Sequence, residues 1–282
     1  GLLGMRRSHI SSYSASPLNT HYGLSYPTVL NLAEDKKGTI WVGTDGEGIN
    51  AYFPGENSFR HYPSTFGHKV NAVAPIRGSR MLLNYFGEGL VVFNRATGET
   101  SPFQPEGFKE AELPGVGTIG IDMFNHKNRV LYILEEEIFV YDIDENRLKK
   151  LETPELQYGE GGLMVAGKQG EDLFIYGLRN VYRLNLKSEK LSHVLGVENL
   201  PGEQIHSACL DPEETIWAGT AQGLYAYTAV NGLQKCIESR LVRKVKSLIA
   251  DKKGRIWCGA GGNLYSYYKE DDFFKVYGRS DG

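Results

Sequence analysis

Histidines and nucleophilic serines are the residues that could support catalysis. Their spacing in this sequence matches no known catalytic motif. The chain has seven histidines, but no two form an HExxH zinc motif or a close metal-binding pair. No GxSxG nucleophile elbow is present. We therefore expect the histidines to lie on the surface or in loops, and we expect neither a metal nor a cofactor.

Three further segments resemble functional motifs only in part. The segment from Asp142 to Asn146 places oxygen ligands at alternate positions, as a calcium loop does, but lacks the Gly and the Glu such a loop needs. The acidic run Glu135-Glu136-Glu137 could serve glycoside hydrolysis only with a second carboxylate at a suitable distance. The run from Gly43 to Gly48 lacks the Lys and the following helix of a phosphate loop. We interpret all three as turns between strands.

The composition excludes several classes of protein. The 282 residues carry a formal net charge of -3, which gives no electrostatic footprint for nucleic acid or an anionic membrane. With 41% hydrophobic and 23% charged residues the chain is globular. No apolar run approaches the ~20 residues that cross a bilayer. The three cysteines form no CxxC pair and allow at most one disulfide.

The termini indicate part of a longer protein. The chain begins at Gly1 without the basic and apolar regions of a signal peptide, and it stops at Gly282. We expect the same protein to contain further domains.

Internal repeats organise the sequence. Residues 35–44, 211–220 and 251–260 align as Asp, a turn, Ile-Trp and, two residues after the Trp, a Gly followed by Thr or Ala. An aliphatic column continues the register at intervals of 40 to 48 residues, and an apolar residue, usually aromatic, follows each member after three positions. That column is Ile49, Leu90, Ile138, Val181, Leu224 and Leu264.

This period predicts an all-β fold, a β-propeller of four-stranded blades. In the first blade we place strands near 29–32, 39–44, 48–53 and 58–62. We treat 1–282 as a single domain, with an outer half-blade at 1–16 and units near 17–62, 63–101, 102–151, 152–194, 195–238 and 239–282. Because an open ring leaves strand edges unpaired, we expect a seven-bladed ring that this chain does not complete.

Positions that recur in the units have structural interpretations. Asp35 is expected to accept hydrogen bonds from its own turn, which Gly38 makes possible. Glu214 replaces that Gly in one copy, and Asn125 and Asn128 stand at the turn in another, where Asn tolerates positive φ. The Trp column is expected to pack between neighbouring sheets rather than bind sugar.

Binding residues are expected on loops and should not repeat between the blades. The turns between second and third strands and the connections between blades should share one rim. Arg179 is the strongest candidate, since a guanidinium can bind a sugar carboxylate or sulfate through two hydrogen bonds. The ligand-binding candidates are Tyr22, Tyr26, Asp45, His68, Tyr85, Phe86, Glu88, Arg179, His206 and Gln222.

The pattern Asp-x-x-Gly-x-Ile-Trp-x-Gly-Thr, followed by Gly-aliphatic-x-x-Tyr, resembles the two-component regulator propeller repeat. The match is close at 35–52 and 251–267, weaker at 211–227, and limited to apolar columns in the three middle units. The lead-in segments 22–29 and 199–205 resemble the family's Gly-Leu-Pro-Ser-Asn-x-Val phrase.

The resemblance implies the periplasmic sensor region of a hybrid histidine kinase anchored in the inner membrane of a polysaccharide-degrading bacterium. It implies an oligosaccharide ligand, a neighbouring propeller and a β-sandwich domain in the same chain, a homodimer, and control of polysaccharide-utilisation genes. Kinase activity would lie outside this segment, which is expected to be neither an enzyme nor a nucleic-acid binder.

Two alternatives stay open from the sequence. The propeller could be a protein-interaction or dimerisation scaffold, which a rim rich in apolar residues would favour. It could instead be a lyase or glycosidase, which would need a close cluster of histidines or carboxylates.

Overall fold

The computed structural model describes residues 11–15, 21–63, 69–108, 121–157, 159–200, 204–228, 232–237 and 244–278. These residues form twenty-four β-strands and one short 3₁₀ helix, Val197–Asn199. Within these ranges no helix is long and apolar enough to cross a membrane. The chain divides into two compact units, which we describe separately.

The first unit, Tyr13–Pro154 with Gly161–Met164, contains three four-stranded sheets. Each sheet takes its strands in chain order, so each is one of the predicted blades. Blade 1 is β1 (Val29–Glu34), β2 (Ile40–Thr44), β3 (Ile49–Phe53) and β4 (Ser58–Tyr62). Blade 2 is β5 (Val70–Pro75), β6 (Arg80–Tyr85), β7 (Gly89–Asn94) and β8 (Glu99–Pro102). Blade 3 is β9 (Ile121–His126), β10 (Arg129–Leu134), β11 (Glu137–Asp142) and β12 (Arg147–Lys150).

The second unit, Gly1–Ser12, Glu155–Glu160 and Val165–Gly282, contains the other three sheets, with the first residue of β13 assigned to the first unit. Blade 4 is β13 (Met164–Gln169), β14 (Asp172–Tyr176), β15 (Asn180–Asn185) and β16 (Lys190–Gly196). Blade 5 is β17 (Ser207–Leu210), β18 (Ile216–Gly219), β19 (Leu224–Thr228) and β20 (Gly232–Ile237). Blade 6 is β21 (Val245–Ala250), β22 (Ile256–Ala260), β23 (Asn263–Tyr268) and β24 (Phe273–Tyr277).

The predicted all-β class and the four strands of blade 1 are confirmed, with the strand ends within two residues of expectation. Five members of the aliphatic column are buried, because that position faces the layer between sheets. Leu264 is the exception, at 36% exposed.

The Trp column packs between sheets, as predicted, in two of its three copies. Trp41 is 3% exposed and meets Phe93 of the next blade, with ring centroids 5.9 Å apart. Trp217 is equally buried and lies 5.6 Å from the Tyr267 ring of the next blade. Trp257 is only partly buried and stacks on Tyr277 of its own blade.

The repeated aspartate organises the turn between the first and second strands, which we call the AB turn. Asp35 Oδ1 accepts hydrogen bonds from the backbone N–H groups of Lys37 (2.8 Å) and Thr39 (3.2 Å), as expected. Its Oδ2 also accepts one from Trp41 Nε1 at 3.1 Å, a bond that the repeat pattern alone does not reveal. The same three bonds recur at Asp211 and Asp251.

A cation from the following blade completes this turn in two copies. Arg95 of blade 2 donates to Asp35 Oδ2 and also to the carbonyl of Gly78. Lys269 of blade 6 lies 2.8 Å from Asp211 Oδ2. Each cation stands two residues after the aromatic residue of its own blade, so the two ion pairs are equivalent links between neighbouring blades.

Positive backbone φ falls where predicted, with one correction. Gly38 has φ 79°, and Glu214, which replaces that Gly, has φ 67°. In blade 3 we expected Asn at the strained turn position, but the positive φ of 57° belongs to Lys127, the first residue after β9. Asn125 lies within β9, so the expectation for this turn was wrong.

The acidic segments are turns, as interpreted. Glu135 and Glu136 connect β10 to β11. Asp142 ends β11, and its Oδ1 accepts hydrogen bonds from the backbone N–H groups of Asp144 (3.0 Å) and Glu145 (3.1 Å). This side chain therefore closes its own hairpin.

Cys209 and Cys258 are free and buried. Burial raises the pKa of each thiol to about 12. Both are therefore protonated at neutral pH and weakly nucleophilic.

Candidate functional site

The turns between second and third strands (BC turns) and the connections between blades (DA connections) meet at one end of the strands, as predicted. Backbone hydrogen bonds join them repeatedly within each unit, which makes a continuous loop surface there. The joined pairs, with N···O distances of 2.7 to 3.2 Å, are Asp45 with Thr28, Phe86 with Lys69, Leu163 with Glu135, Ile205 with Leu178, and Val245 with Thr220.

In the first unit this surface brings together Asp45, Lys69 and Phe86. Lys69 Nζ lies 2.9 Å from Asp45 Oδ1, and both side chains are about one-third exposed. The same ammonium lies 5.2 Å from the centroid of the Phe86 ring, which is 40% exposed. The three residues form a charged and aromatic patch across the BC turns of blades 1 and 2.

Two predicted tyrosines lie on the chain leading into blade 1. Tyr26 is 36% exposed and packs over Gly46, where an added Cβ would lie 2.8 Å from the ring. Gly46 therefore allows the ring to approach the BC turn closely. Tyr22 is 62% exposed and makes an edge contact with the His21 ring.

The remaining first-unit candidates have different positions. Tyr85 differs from our expectation of a loop residue, because it ends β6 and is only 1% exposed. Because it is buried in the core, it cannot meet a ligand directly. Glu88 is exposed, with its backbone N–H bonded to the Tyr85 carbonyl. His68 lies outside the described residues.

In the second unit a buried carboxylate holds the BC turn of blade 4. Glu160 is 0% exposed, and its Oε2 accepts hydrogen bonds from the backbone N–H groups of Arg179 (3.0 Å) and Asn180 (3.1 Å). Its Oε1 accepts from the Tyr182 hydroxyl at 2.7 Å and from the Asn180 amide. A side chain at Gly177 would overlap this carboxylate. Four donors thus fix one loop residue against the turn.

Burial raises the pKa of Tyr182, and the neighbouring Glu160 raises it further, although the Gln157 backbone N–H opposes the shift. Because the phenol stays protonated at physiological pH, it remains a donor to Glu160.

Arg179 is fixed through its backbone while its side chain is exposed. Its N–H is bonded to Glu160, and its carbonyl accepts a hydrogen bond from Val197 N at 2.8 Å. A guanidinium on a rigid turn loses little backbone entropy on binding an anionic or hydroxyl-rich ligand.

His206 and Gln222 continue the same surface toward blade 5. The backbone N–H of His206 donates to the Gly219 carbonyl at 2.8 Å, and His206 is half-buried. Gln222 is exposed, and its N–H donates to the buried Thr220 hydroxyl at 3.1 Å. The structure thus joins Arg179, His206 and Gln222 along one line of hydrogen-bonded loops.

Among the described residues, no group of three His, Cys, Asp or Glu side chains could hold a metal. Two of the histidines are bound to structural partners. His61 Nε2 lies 2.8 Å from the Gly23 carbonyl, and His193 Nε2 lies 2.8 Å from Asn180 Oδ1.

Sequence reasoning missed Lys69 and Glu160. Lys69 is next to the candidate His68 in the sequence, so the position of this connection between blades was a signal that could have identified it. Glu160 lies in a long irregular loop, where nothing in the sequence separates a buried carboxylate from a solvated one.

Six blades of four strands, each in chain order, define a β-propeller. Residues 23–46 match the two component regulator propeller family, which covers the AB turn and the first Trp. The resemblance stated from the sequence is therefore confirmed at that repeat. No curated protein matches the chain.

Solved structures share the fold at low identity. The extracellular domain of BT4673, a proposed hybrid two component system from B. thetaiotaomicron, has 15% identity and a TM-score of 0.70 over 95% of this chain and 35% of that chain. A second structure of that extracellular domain has 16% identity and a TM-score of 0.57, over 90% of this chain and 39% of that chain. The chain thus spans between a third and two-fifths of the length of these solved chains.

An enzyme shares the fold as well. A catalytically inactive variant of virginiamycin B lyase from Staphylococcus aureus, solved with quinupristin, has 11% identity and a TM-score of 0.70, over 94% of this chain and 87% of that chain. At such identities these likenesses establish the fold alone.

Proposed function

We propose that this chain is a sensor propeller of a hybrid two-component system and that it binds an oligosaccharide at the BC-turn end of its blades. The observation that carries this proposal is the regulator-propeller repeat at residues 23–46. The fold shared with the extracellular domain of BT4673 supports the same context.

The loop surface of each unit has groups suited to a sugar. Exposed aromatic rings such as Phe86 and Tyr26 offer apolar faces to the C–H groups of a pyranose. The Arg179 guanidinium and the Asp45–Lys69 pair offer hydrogen bonds to hydroxyl or carboxylate groups. Because the BC turns and DA connections are bonded to each other, the backbone that carries these groups is held in place before binding.

The wider context belongs to the same proposal. We infer a periplasmic location within an inner-membrane protein, a second propeller and a β-sandwich in the same chain, and a homodimer. The output would be kinase activity and control of polysaccharide-utilisation genes, carried by other domains. The chain itself would be non-enzymatic, with its histidines serving the fold.

A thermal-shift screen against defined oligosaccharides tests the binding. A ligand that binds only the native state stabilises it by about 2.7 kcal/mol at a hundredfold excess over Kd. Binding therefore raises Tm wherever on the chain the site lies. We expect at least one oligosaccharide to raise Tm in a concentration-dependent way. If oligosaccharides, monosaccharides and polymers all leave Tm unchanged, sensing by this propeller is refuted and the interaction-scaffold alternative gains weight.

A further inference from the structure

Two clefts lie at the AB-turn end of blades 1 to 3, the opposite end of these strands from the proposed sugar surface. The first has a volume of about 540 Å³, and the second about 500 Å³. Both volumes are in the usual range of ~300 to 1,000 Å³ for small-ligand sites. Asp35, Gly78 and Arg95 line both clefts, so the two adjoin across the Arg95–Asp35 ion pair.

The first cleft is cationic. Four basic side chains line it against two carboxylates, Glu34 and Asp35. Even when Asp144, which pairs with Arg77 at 2.5 Å, is counted, the cations outnumber the anions in a chain of net charge -3. The basic side chains are Lys36, Arg77, Arg95 and Lys127.

The cationic cleft is also rigid and partly apolar. Arg95 is bound to Asp35 and to the Gly78 carbonyl, and the Asn125 amide donates to the Pro75 carbonyl of blade 2. Ile76 and Ile143 supply apolar wall. The neighbouring blades therefore hold Arg95 and the wall of the cleft in place.

The second cleft is aromatic. Trp41, Phe53 and Tyr62 line it, and the Arg60 guanidinium lies 4.9 Å from the Tyr62 ring centroid. Phe53 is partly buried, whereas the other two rings are almost covered. The edge of an aromatic cluster is thus available to an apolar sugar face next to a basic cleft.

We propose that these two clefts form a second ligand site, for an acidic oligosaccharide. One sugar ring packs against Phe53, and the carboxylate or sulfate of the next ring lies near Lys36 and Lys127. The inference rests on the proposed function for the sugar class, but it places the acidic ligand at the other end of the blades.

Titration calorimetry with trigalacturonate, and with maltotriose as a neutral trisaccharide, tests the site. The wild-type chain should bind trigalacturonate with at least one site, more weakly as ionic strength rises. The double variant Lys36→Gln/Lys127→Gln should weaken that site about tenfold, because two charge-assisted contacts are lost. The matched variant Lys187→Gln/Lys190→Gln changes the same charge on blade 4 and should bind as wild type does.

One further variant and one competing ligand separate the sources of binding. Phe53→Ala should weaken trigalacturonate binding several-fold, since aromatic packing contributes. A sulfated trisaccharide that competes with trigalacturonate would place sulfate and carboxylate at the same groups, and one that does not compete would restrict the site to uronates. Either result keeps the acidic class.

Other outcomes overturn the inference. If Arg179→Ala is the only variant that weakens trigalacturonate binding, the acidic sugar lies at the BC-turn end. The second site would then be refuted, and the proposed function would stay intact. No binding of trigalacturonate at all would also refute the second site, while a neutral oligosaccharide that raises Tm would still support the proposed function.

Discussion

At the residue scale, the aspartate of the AB turn links local and long-range structure. One carboxylate oxygen closes the turn, and the other receives the indole N–H six residues later. In blades 1 and 5 this carboxylate also forms an ion pair with a cation from the next blade. A single side chain therefore fixes a turn, a buried ring and a junction between blades.

This arrangement predicts a pH dependence at Asp251. Burial alone would raise its pKa, but hydrogen bonds from Trp257, Arg255 and Lys253 lower the pKa to about 2. A lowered folded-state pKa adds stability above the unfolded value of 3.8, and that stability is lost as pH falls through about 2. The side chain is 23% exposed, so we expect a contribution of about 1 to 2 kcal/mol.

Asp251→Asn should therefore unfold more easily than wild type at pH 7 and differ less from it near pH 2. Urea unfolding across this range measures the difference, with the exposed Asp271→Asn as the control. A destabilisation that stays constant from pH 7 to about 2 would contradict the account.

The links between blades predict unequal costs for two arginines. Arg95→Ala leaves the buried Asp35 without its cation and should cost about 2 kcal/mol of unfolding free energy. Arg77→Ala breaks an ion pair whose side chains are 68% and 43% exposed, and should cost less than about 1 kcal/mol. Chemical denaturation measures the loss of unfolding free energy in both variants. Equal losses would refute a stabilising role for the Arg95–Asp35 ion pair between the blades.

At the element scale, the blades approach each other closely at the glycine that follows Trp in β2 and β18. An added Cβ on Gly43 would lie 2.7 Å from the Val70 carbonyl oxygen of β5. One on Gly219 would lie within van der Waals overlap of Val245 in β21. The repeated glycine thus allows the first strand of the next blade to pack against the second strand.

Gly43→Ala should therefore destabilise the protein by about 1 to 3 kcal/mol, because backbone of the next blade must move. Gly55→Ala is the matched control, since nothing lies within 4 Å of its added Cβ and its φ is not positive. Thermal unfolding of the two variants tests this. If Gly43→Ala melts with the control, the close approach has no energetic role.

Much of the element pattern could be predicted from the sequence because it repeats. Burial between sheets requires an apolar residue at the same strand position every 40 to 48 residues. The strands and blades could therefore be predicted from the sequence. The Arg95–Asp35 link was not, since its partners are 60 residues apart and the cation occurs in only some copies. Glu160 was missed because irregular loops carry no periodic signal.

At the scale of the whole molecule, two sheet faces expose apolar side chains. In the first unit Leu32 of β1 is 62% exposed, and in the second Ile249 of β21 and Phe273 of β24 are 65% and 56% exposed. Exposed apolar patches mark surfaces that another element or partner covers. The seven-bladed ring remains our prediction for what covers them.

A substitution at Leu32 tests whether a seventh blade covers the exposed face of β1. In this chain Leu32→Ser should change the unfolding free energy by less than about 0.5 kcal/mol, because the side chain is exposed. In a longer chain that completes a seventh blade, the same change should cost about 2 kcal/mol through lost burial. Denaturant unfolding of both pairs provides the test, and equal small effects would refute coverage by a blade.

The central claim is that the BC-turn surface binds an oligosaccharide through Arg179. Its most direct measurement is calorimetric titration of an oligosaccharide that raises Tm into the wild-type chain, Arg179→Ala and Arg183→Ala. Arg183 is an exposed arginine of β15 in the same blade, so it controls for charge. We predict affinity at least about tenfold weaker for Arg179→Ala and unchanged for Arg183→Ala. Equal affinity in all three proteins would contradict the claim.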